Sequence, residues 1–197
     1  EPLFEYWGHE ASWLPIELYP YFEFRRQEFC HHPWWGDVLG EHPEAASDLL
    51  ARIRSEGPLR SLDLEGESGS GWEWKLTKKV ATALWSRGDL AIRERRNFQR
   101  VFDLAERVIP DELRQQPRDL PSSLRTLLLR ALTGHGWAQT GTLAATWRLR
   151  NLKTEISDAL HDLEASGAIV PCRLNDESGK RYPGWICSED LELAASI

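Results

Sequence analysis

The sequence predicts an α+β fold, mainly α, in which one pattern of helix, short helix, long helix and β-hairpin occurs twice. Three observations predict it. Apolar residues recur at helical spacing in four long segments, and each segment is followed by a glycine. Two strand-like runs follow the second and the fourth of these glycines. The glycines themselves repeat at one offset: Gly57 to Gly136 and Gly88 to Gly167 are both shifts of 79. Helix, helix and β-hairpin in that order describe a winged helix-turn-helix, whose second helix can enter a DNA major groove.

The chain begins with an extended aromatic run, Glu1 to Leu14, in which Leu3, Phe4, Tyr6 and Trp7 have high strand propensity and Gly8 breaks the run. Pro15 is suited to the first position of a helix that carries Tyr21, Phe22 and Phe24 toward Arg25-Arg26. Residues 33–43 are punctuated by Pro, Trp and Gly and predict a connection. Pro43 to Glu56 predicts a helix with Ala45, Leu49, Leu50 and Ile53 at its spacing and Gly57-Pro58 as its stop. Ser61 to Glu65 predicts a short second helix, and Gly66 to Gly71 a flexible turn.

Next comes the segment around which the first copy is organised, Trp72 to Leu104. Leu76, Val80, Ala83 and Leu84 form one apolar stripe, while Lys75, Lys78, Lys79 and Thr82 share another face. Arg87-Gly88 ends the helix. Leu90 to Arg95 and Phe98 to Leu104 then predict two strands that meet at Arg96-Asn97. Residues 110–121 predict a polar linker. The second copy follows, with helices over Ser122 to Leu132, Thr140 to Trp147 and 152–163, and a hairpin of Ile169 to Leu174 with Arg181 to Ile186. The expected domains are therefore 1–42, the tail of an upstream winged-helix module with a connecting helix; 43–109, a basic module; 110–121, the linker; and 122–190, an acidic module.

Charge distinguishes the copies. Residues 71–100 hold eight Lys or Arg against three Asp or Glu, net +5 in a chain of net −7. Such a basic island is the electrostatic footprint of phosphate binding, although a solvated helix face and a charged hairpin edge have the same composition. The second long helix instead exposes Glu155, Asp158, Asp162 and Glu164, which phosphates would repel. That assigns DNA contact to the first copy and a packing or spacer role to the second.

The chain holds 41% hydrophobic and 28% charged residues, ordinary for a soluble protein. No apolar run approaches the ~20 residues that span a bilayer, so no membrane partner is expected. Three cysteines, Cys30, Cys172 and Cys187, make no disulfide framework and fit a reducing cytoplasm. Methionine is absent, position 1 included, which suggests a piece of a longer gene product. Of the ten tryptophans, Trp7, Trp13, Trp72, Trp74 and Trp85 sit in apolar segments and are expected in the core. Cys30-His31-His32 with His42 lacks a recurring metal spacing, and Gly66 to Gly71 lacks the Gly-Lys-Ser/Thr of a phosphate loop. The densest polar group is Glu5, His9 and Glu10, where a carboxylate–imidazole pair can do acid–base work or simply satisfy a hydrogen bond.

Three stretches, EPLFEYWGHEASWLP at the start, SGWEWK at Ser70 to Lys75 and RERRNFQRVFDLAERVIP at Arg93 to Pro110, resemble the AlkZ/YcaQ-type winged-helix DNA glycosylases, bacterial interstrand-crosslink repair enzymes. The resemblance covers nearly the whole chain and is strongest over 1–14 and 70–110. It implies the middle portion of three tandem winged-helix modules followed by a β-barrel, on a concave DNA-binding scaffold. It also implies hydrolysis of N-glycosidic bonds of N7-alkylated purines and unhooking of crosslinks without a metal or flavin, on double-stranded DNA, damaged or crosslinked, by a monomer. The family's catalytic pair is Gln-x-Gln or Gln-x-Asp. None of Gln27, Gln99, Gln115, Gln116 and Gln139 fits it, so the expectation places that pair upstream of Glu1, no catalytic residue within the chain, and His9 and Glu10 as lining of the active cleft. The expected DNA contacts are Lys75, Lys78, Lys79 and Thr82 on the helix, and Arg93, Arg95, Arg96, Asn97 and Arg100 on the hairpin. A winged-helix transcription regulator, which needs a symmetric operator and dimerisation, and a protein-interaction scaffold are the alternatives.

Overall fold

The computed structural model describes residues 2–29, 36–64 and 71–195, with side chains except those of 71–75 and 195. Helix (53%) outweighs strand (24%), and the chain divides into two compact units: Glu1–Trp7 with Ala11–Pro117, and Gly8–Glu10 with Arg118–Ile197.

In the first unit β1 (Leu3–Trp7) and β2 (Ala11–Pro15) pair antiparallel, Phe4 opposite Leu14 and Tyr6 opposite Ser12. The aromatic run is thus one strand of a hairpin. A 3-10 helix, Ile16–Phe22, and α1 (Glu23–Glu28) follow, with Pro15 as the N-cap of the former and Pro20 inside it. After α2 (Val38–Glu41) come α3 (Pro43–Glu56), β3 (Leu59–Arg60), α4 (Gly71–Arg87), β4 (Leu90–Arg96) and β5 (Gln99–Leu104). The three strands form a sheet in the order β3-β5-β4. Short helical turns α5 (Ala105–Val108) and α6 (Asp111–Arg114) close the unit.

Its core lies where α4 meets the aromatic hairpin. Val80, Ala81, Leu84 and Trp85 are fully buried, and Leu49 and Ile53 of α3 face them with Leu90, Ile92, Val101 and Phe102 of the sheet. The Tyr6 and Trp85 rings meet edge to face at 5.9 Å, and Trp7 and Trp85 lie 4.8 Å apart. Trp85 Nε1 donates to the Glu5 carbonyl at 3.0 Å and Trp7 Nε1 to the Ser86 hydroxyl at 2.8 Å. Tyr6 donates to the Ser86 carbonyl at 2.6 Å, and burial pushes its hydroxyl pKa up, so it stays a donor. The apolar stripe of α4 is accordingly wider than its sequence period predicts. Gly88, at φ +96, ends the helix and leaves room for Arg26, whose Cδ would lie 2.6 Å from an added Cβ.

The second unit contains α7 (Leu120–His135), β6 (Trp137–Ala138), α8 (Thr140–Thr146), α9 (Lys153–Ala165), β7 (Ile169–Asn175), β8 (Arg181–Cys187) and α10 (Leu191–Ala195). Asp119 caps α7 by accepting from the Ser122 amide at 2.8 Å. Leu124, Leu127, Leu128, Leu132, Leu143 and Leu160 fill the core. Sheet order is β6-β8-β7, the same arrangement as β3-β5-β4. Gly57, Gly88, Gly136 and Gly167 all have positive φ. The four glycines of the equal offset thus share one backbone conformation, and the two sheets share one strand order.

Several local expectations are corrected. Ser61–Leu64 is a turn, not a helix, because Asp63 accepts the Arg60 amide at 3.0 Å and its guanidinium at 2.7 and 2.9 Å, closing the chain on itself. The linker region contains α6, and α7 starts two residues earlier than expected. Trp13 is exposed (43%) rather than core. Cys172 lies on β7 and Cys187 on β8, two strands that pair, and both thiols are free; burial pushes the Cys172 thiol up. Gly66 to Ser70 and Cys30-His31-His32 lie outside the described residues, as do the side chains of Trp72 and Trp74.

Candidate nucleic-acid interface

Among the described residues of the basic segment, the β4–β5 hairpin is the part most exposed to solvent. Its strands pair from Leu90 opposite Leu104 to Arg96 opposite Gln99, with a bulge between Ile92 and Glu94 that makes Arg93 the extra residue. The register leaves Asn97 and Phe98 as a two-residue turn, with φ of 49° and 63°. Positive φ at both positions is the signature of a type I′ turn. The turn thus sits one residue beyond the expected Arg96-Asn97.

The hairpin arginines are organised by two buried carboxylates. Glu5 of β1 is 2% exposed. Arg95 donates to it through Nε at 2.8 Å and Nη2 at 2.7 Å, and Arg100 through Nε at 2.7 Å. The Arg100 guanidinium also stacks over Trp85, 4.3 Å from its ring centre. Arg95 Nη1 donates to the Phe98 carbonyl at 2.8 Å, so the same side chain holds the turn. Asp103 of β5 is wholly buried and accepts from Arg93 at 3.0 Å and from its neighbour's amide, Leu104, at 2.8 Å. Arg107 approaches Asp103 at 3.4 Å and donates to the Ile53 and Arg54 carbonyls at the end of α3. A buried carboxylate is tolerated only when charge and hydrogen bonds offset its lost hydration. Arg93, Arg95 and Arg100 therefore serve the fold as well as the charge pattern.

Arg96 differs. Its side chain is 63% exposed and, among the described residues, pairs with the Glu94 side chain of the same strand, itself 43% exposed, which leaves the guanidinium accessible. Asn97 is exposed beside it. On α4, Lys78 and Lys79 are half-buried, and the Thr82 hydroxyl donates to the Lys78 carbonyl at 2.9 Å, bonding back to its own helix. Lys75 lies on the helix, and its side chain is outside the described ones.

Glu5, His9 and Glu10 take separate partners. Glu5 is committed to the arginines of the first unit. His9 and Glu10 are exposed in the turn that groups with the second unit. There His9 Nδ1 donates to the Ala145 carbonyl at 2.8 Å and Glu10 pairs with Arg148. On α9, Glu155, Asp158 and Asp162 are exposed, and Asp162 is held by Arg125 at 2.7 Å. Among the described residues no His, Cys, Asp and Glu group can hold a metal, and no helix is long and apolar enough to cross a membrane. The role of Glu5 as the anchor of Arg95 and Arg100 is the feature that sequence spacing misses, since the partners lie 90 and 95 residues away.

Two comparisons place the chain among known proteins. A family model described as DNA glycosylase AlkZ-like matches residues 1–196. The solved structure of Streptomyces sahachiroi DNA glycosylase AlkZ is similar in fold, with a TM-score of 0.57 at 16% identity. The alignment covers 98% of this chain and 54% of that one, so the chain spans about half the length of the structure it matches.

Proposed function

Because the chain belongs to the AlkZ-like DNA glycosylase family, we propose that it is the DNA-binding portion of a repair glycosylase that removes alkylated purines and unhooks interstrand crosslinks. The observation that carries this reading is the family match from residue 1 to residue 196. The repeated order of helices and three-stranded sheet supports two tandem winged-helix modules, the first basic and the second acidic.

In the proposed reaction water attacks the sugar C1′, the bond from C1′ to the base nitrogen breaks, and the water's second proton passes to solvent. N7 alkylation has already made the base cationic and a good leaving group. No glutamine here begins a Gln-x-Gln or Gln-x-Asp pair, so the proposal gives this chain no bond-breaking residue. Its work is to hold duplex DNA. Lys75, Lys78, Lys79, Thr82, Arg93, Arg96 and Asn97 are assigned to backbone contact, and Arg95 and Arg100 to contact and to fixing the hairpin through Glu5. His9 and Glu10 are assigned to lining the cleft. Phosphate contacts of this kind are salt-sensitive and nearly blind to sequence, which suits a search for lesions. The protein is proposed to act as a monomer without cofactor.

Fluorescence anisotropy with a random-sequence duplex, with and without one N7-alkylated guanine, at two salt concentrations tests the reading. It expects sequence-independent binding that weakens steeply with salt. Preference for one symmetric sequence with dimerisation would move the chain to the transcription regulators. No binding at low salt would favour a protein-interaction scaffold.

A further inference from the structure

The tip of the β4–β5 hairpin carries a residue that neither turn geometry nor packing explains. In a two-residue turn with positive φ at both positions, Asn followed by Gly is the least strained choice. Here Asn97 is followed by Phe98, a bulky residue at φ 63°. Phe98 is 91% exposed, the most exposed large hydrophobic residue among the described ones. Strain at a position that the core does not use is a pointer to function.

The ring also stands on a fixed base. The Phe98 carbonyl accepts from Arg95 Nη1 at 2.8 Å. Arg95 clamps the buried Glu5 through Nε and Nη2, Arg100 grips the same carboxylate, and Arg100 lies over the buried Trp85. A chain of hydrogen bonds and stacking thus runs from the hairpin tip into the core. The residues that precede Phe98 on the hairpin, Arg95, Arg96 and Asn97, are polar or cationic. An exposed aromatic on an anchored backbone, next to cations in the sequence, has the chemistry of a side chain that stacks on nucleobases while its neighbours meet phosphates.

We propose that Phe98 is an aromatic wedge that enters the base stack of duplex DNA at a weakened step. This rests on the DNA-binding reading above and adds to it the residue that senses unstacking. A π-face accepts any base, so the wedge is indifferent to sequence and prefers sites where stacking is already poor, such as a mismatch or a damaged base.

The test uses the 197-residue chain and its Phe98→Ala, Phe98→Gly and Phe98→Trp variants on a duplex carrying 2-aminopurine beside a mismatch. The unaltered chain and F98W are expected to change the 2-aminopurine fluorescence. F98A and F98G are expected to lose that change and to bind the mismatched duplex roughly 5- to 150-fold more weakly, the value of one base–aromatic stack. Their salt slope should stay that of the unaltered chain, since no charge is removed. F98G should unfold no earlier than the unaltered chain, which separates loss of the wedge from loss of the fold. Equal affinity and equal fluorescence change in all four proteins would overturn the wedge and leave DNA binding standing. Absence of salt-dependent binding by the unaltered chain would overturn both. Self-association that F98A and F98G abolish, with DNA binding unchanged, would assign the ring to a protein contact and overturn the wedge.

Discussion

Glu5→Gln is the substitution that probes the hairpin's foundation. Glutamine keeps the size of the side chain but replaces one carboxylate oxygen by an NH2 group that faces guanidinium donors. Three charge-assisted bonds end on Glu5, from Arg95 at 2.7 and 2.8 Å and from Arg100 at 2.7 Å. At about 1.5–3 kcal/mol each they set an upper bound of about 5–9 kcal/mol. The arginine side chains are 33% and 20% exposed, so both regain water when the carboxylate is neutralised, whereas Glu5 itself is almost fully enclosed. That leaves about 3 kcal/mol, the low end of the range for breaking a buried ion pair. For a unit of this size it corresponds to a drop in Tm of roughly 10–15 °C. Circular dichroism melts of the two proteins measure it. The Arg96–Glu94 pair on the same hairpin serves as the control, because exposed pairs contribute little, and Arg96→Ala should stay within about 0.5 kcal/mol of the unaltered chain. If Glu5→Gln also stays within that margin, Glu5 does not hold the hairpin and the reasoning fails.

Other substitutions test neighbouring parts of the account. Phe98→Gly should raise stability by about 1 kcal/mol, since glycine relieves the left-handed strain at φ 63°; a urea titration reads it, and a loss of stability would contradict the strain argument. Gly88→Ala and Gly167→Ala occupy the same place in the two repeats, but only Gly88 has the Arg26 side chain 2.6 Å from where a Cβ would sit. Gly167→Ala should cost about 1 kcal/mol for its positive φ alone, and Gly88→Ala about 1–2 kcal/mol more, with thermal melts deciding the order. The bonds from the Arg60 side chain and amide hold the Asp63 carboxyl down at about 2, below its ordinary ~3.9. Its folded pKa is depressed, so its contribution is complete above about pH 4 and is lost as pH falls toward 2. NMR titration should find Asp63 ionised at pH 3, and Asp63→Asn should remove that share of the acid dependence.

What was legible in the sequence is what repeats locally. The helices over Pro43–Glu56 and Gly71–Arg87 follow from apolar spacing and a terminal glycine, and the equal glycine offsets pick out four glycines that all take positive φ. The strands β3 and β6 escape because two residues carry no period, and their pairing with β5 and β8 is decided by the sheet. The turn at Ser61–Leu64 defeats a helix signal through one aspartate. On the hairpin, charge counting singles out the arginines but not their occupations. Arg95 and Arg96 are adjacent and chemically identical in the sequence, yet one grips a buried carboxylate 90 residues away while the other faces solvent. Phe98 was legible only as the start of a strand; its exposure depends on a register that the Arg96–Gln99 pair fixes.

The measurement that tests the central claim most directly is the salt dependence of binding to a random duplex, compared between the unaltered chain and Arg96→Ala. A basic hairpin on the DNA backbone predicts a steep fall of log K with log salt for the unaltered chain, and a slope shallower by about 0.9 for the variant, one phosphate contact fewer. Identical slopes would take Arg96 and the hairpin tip off the DNA. A flat line for both proteins would contradict the assignment of this basic face to nucleic acid altogether.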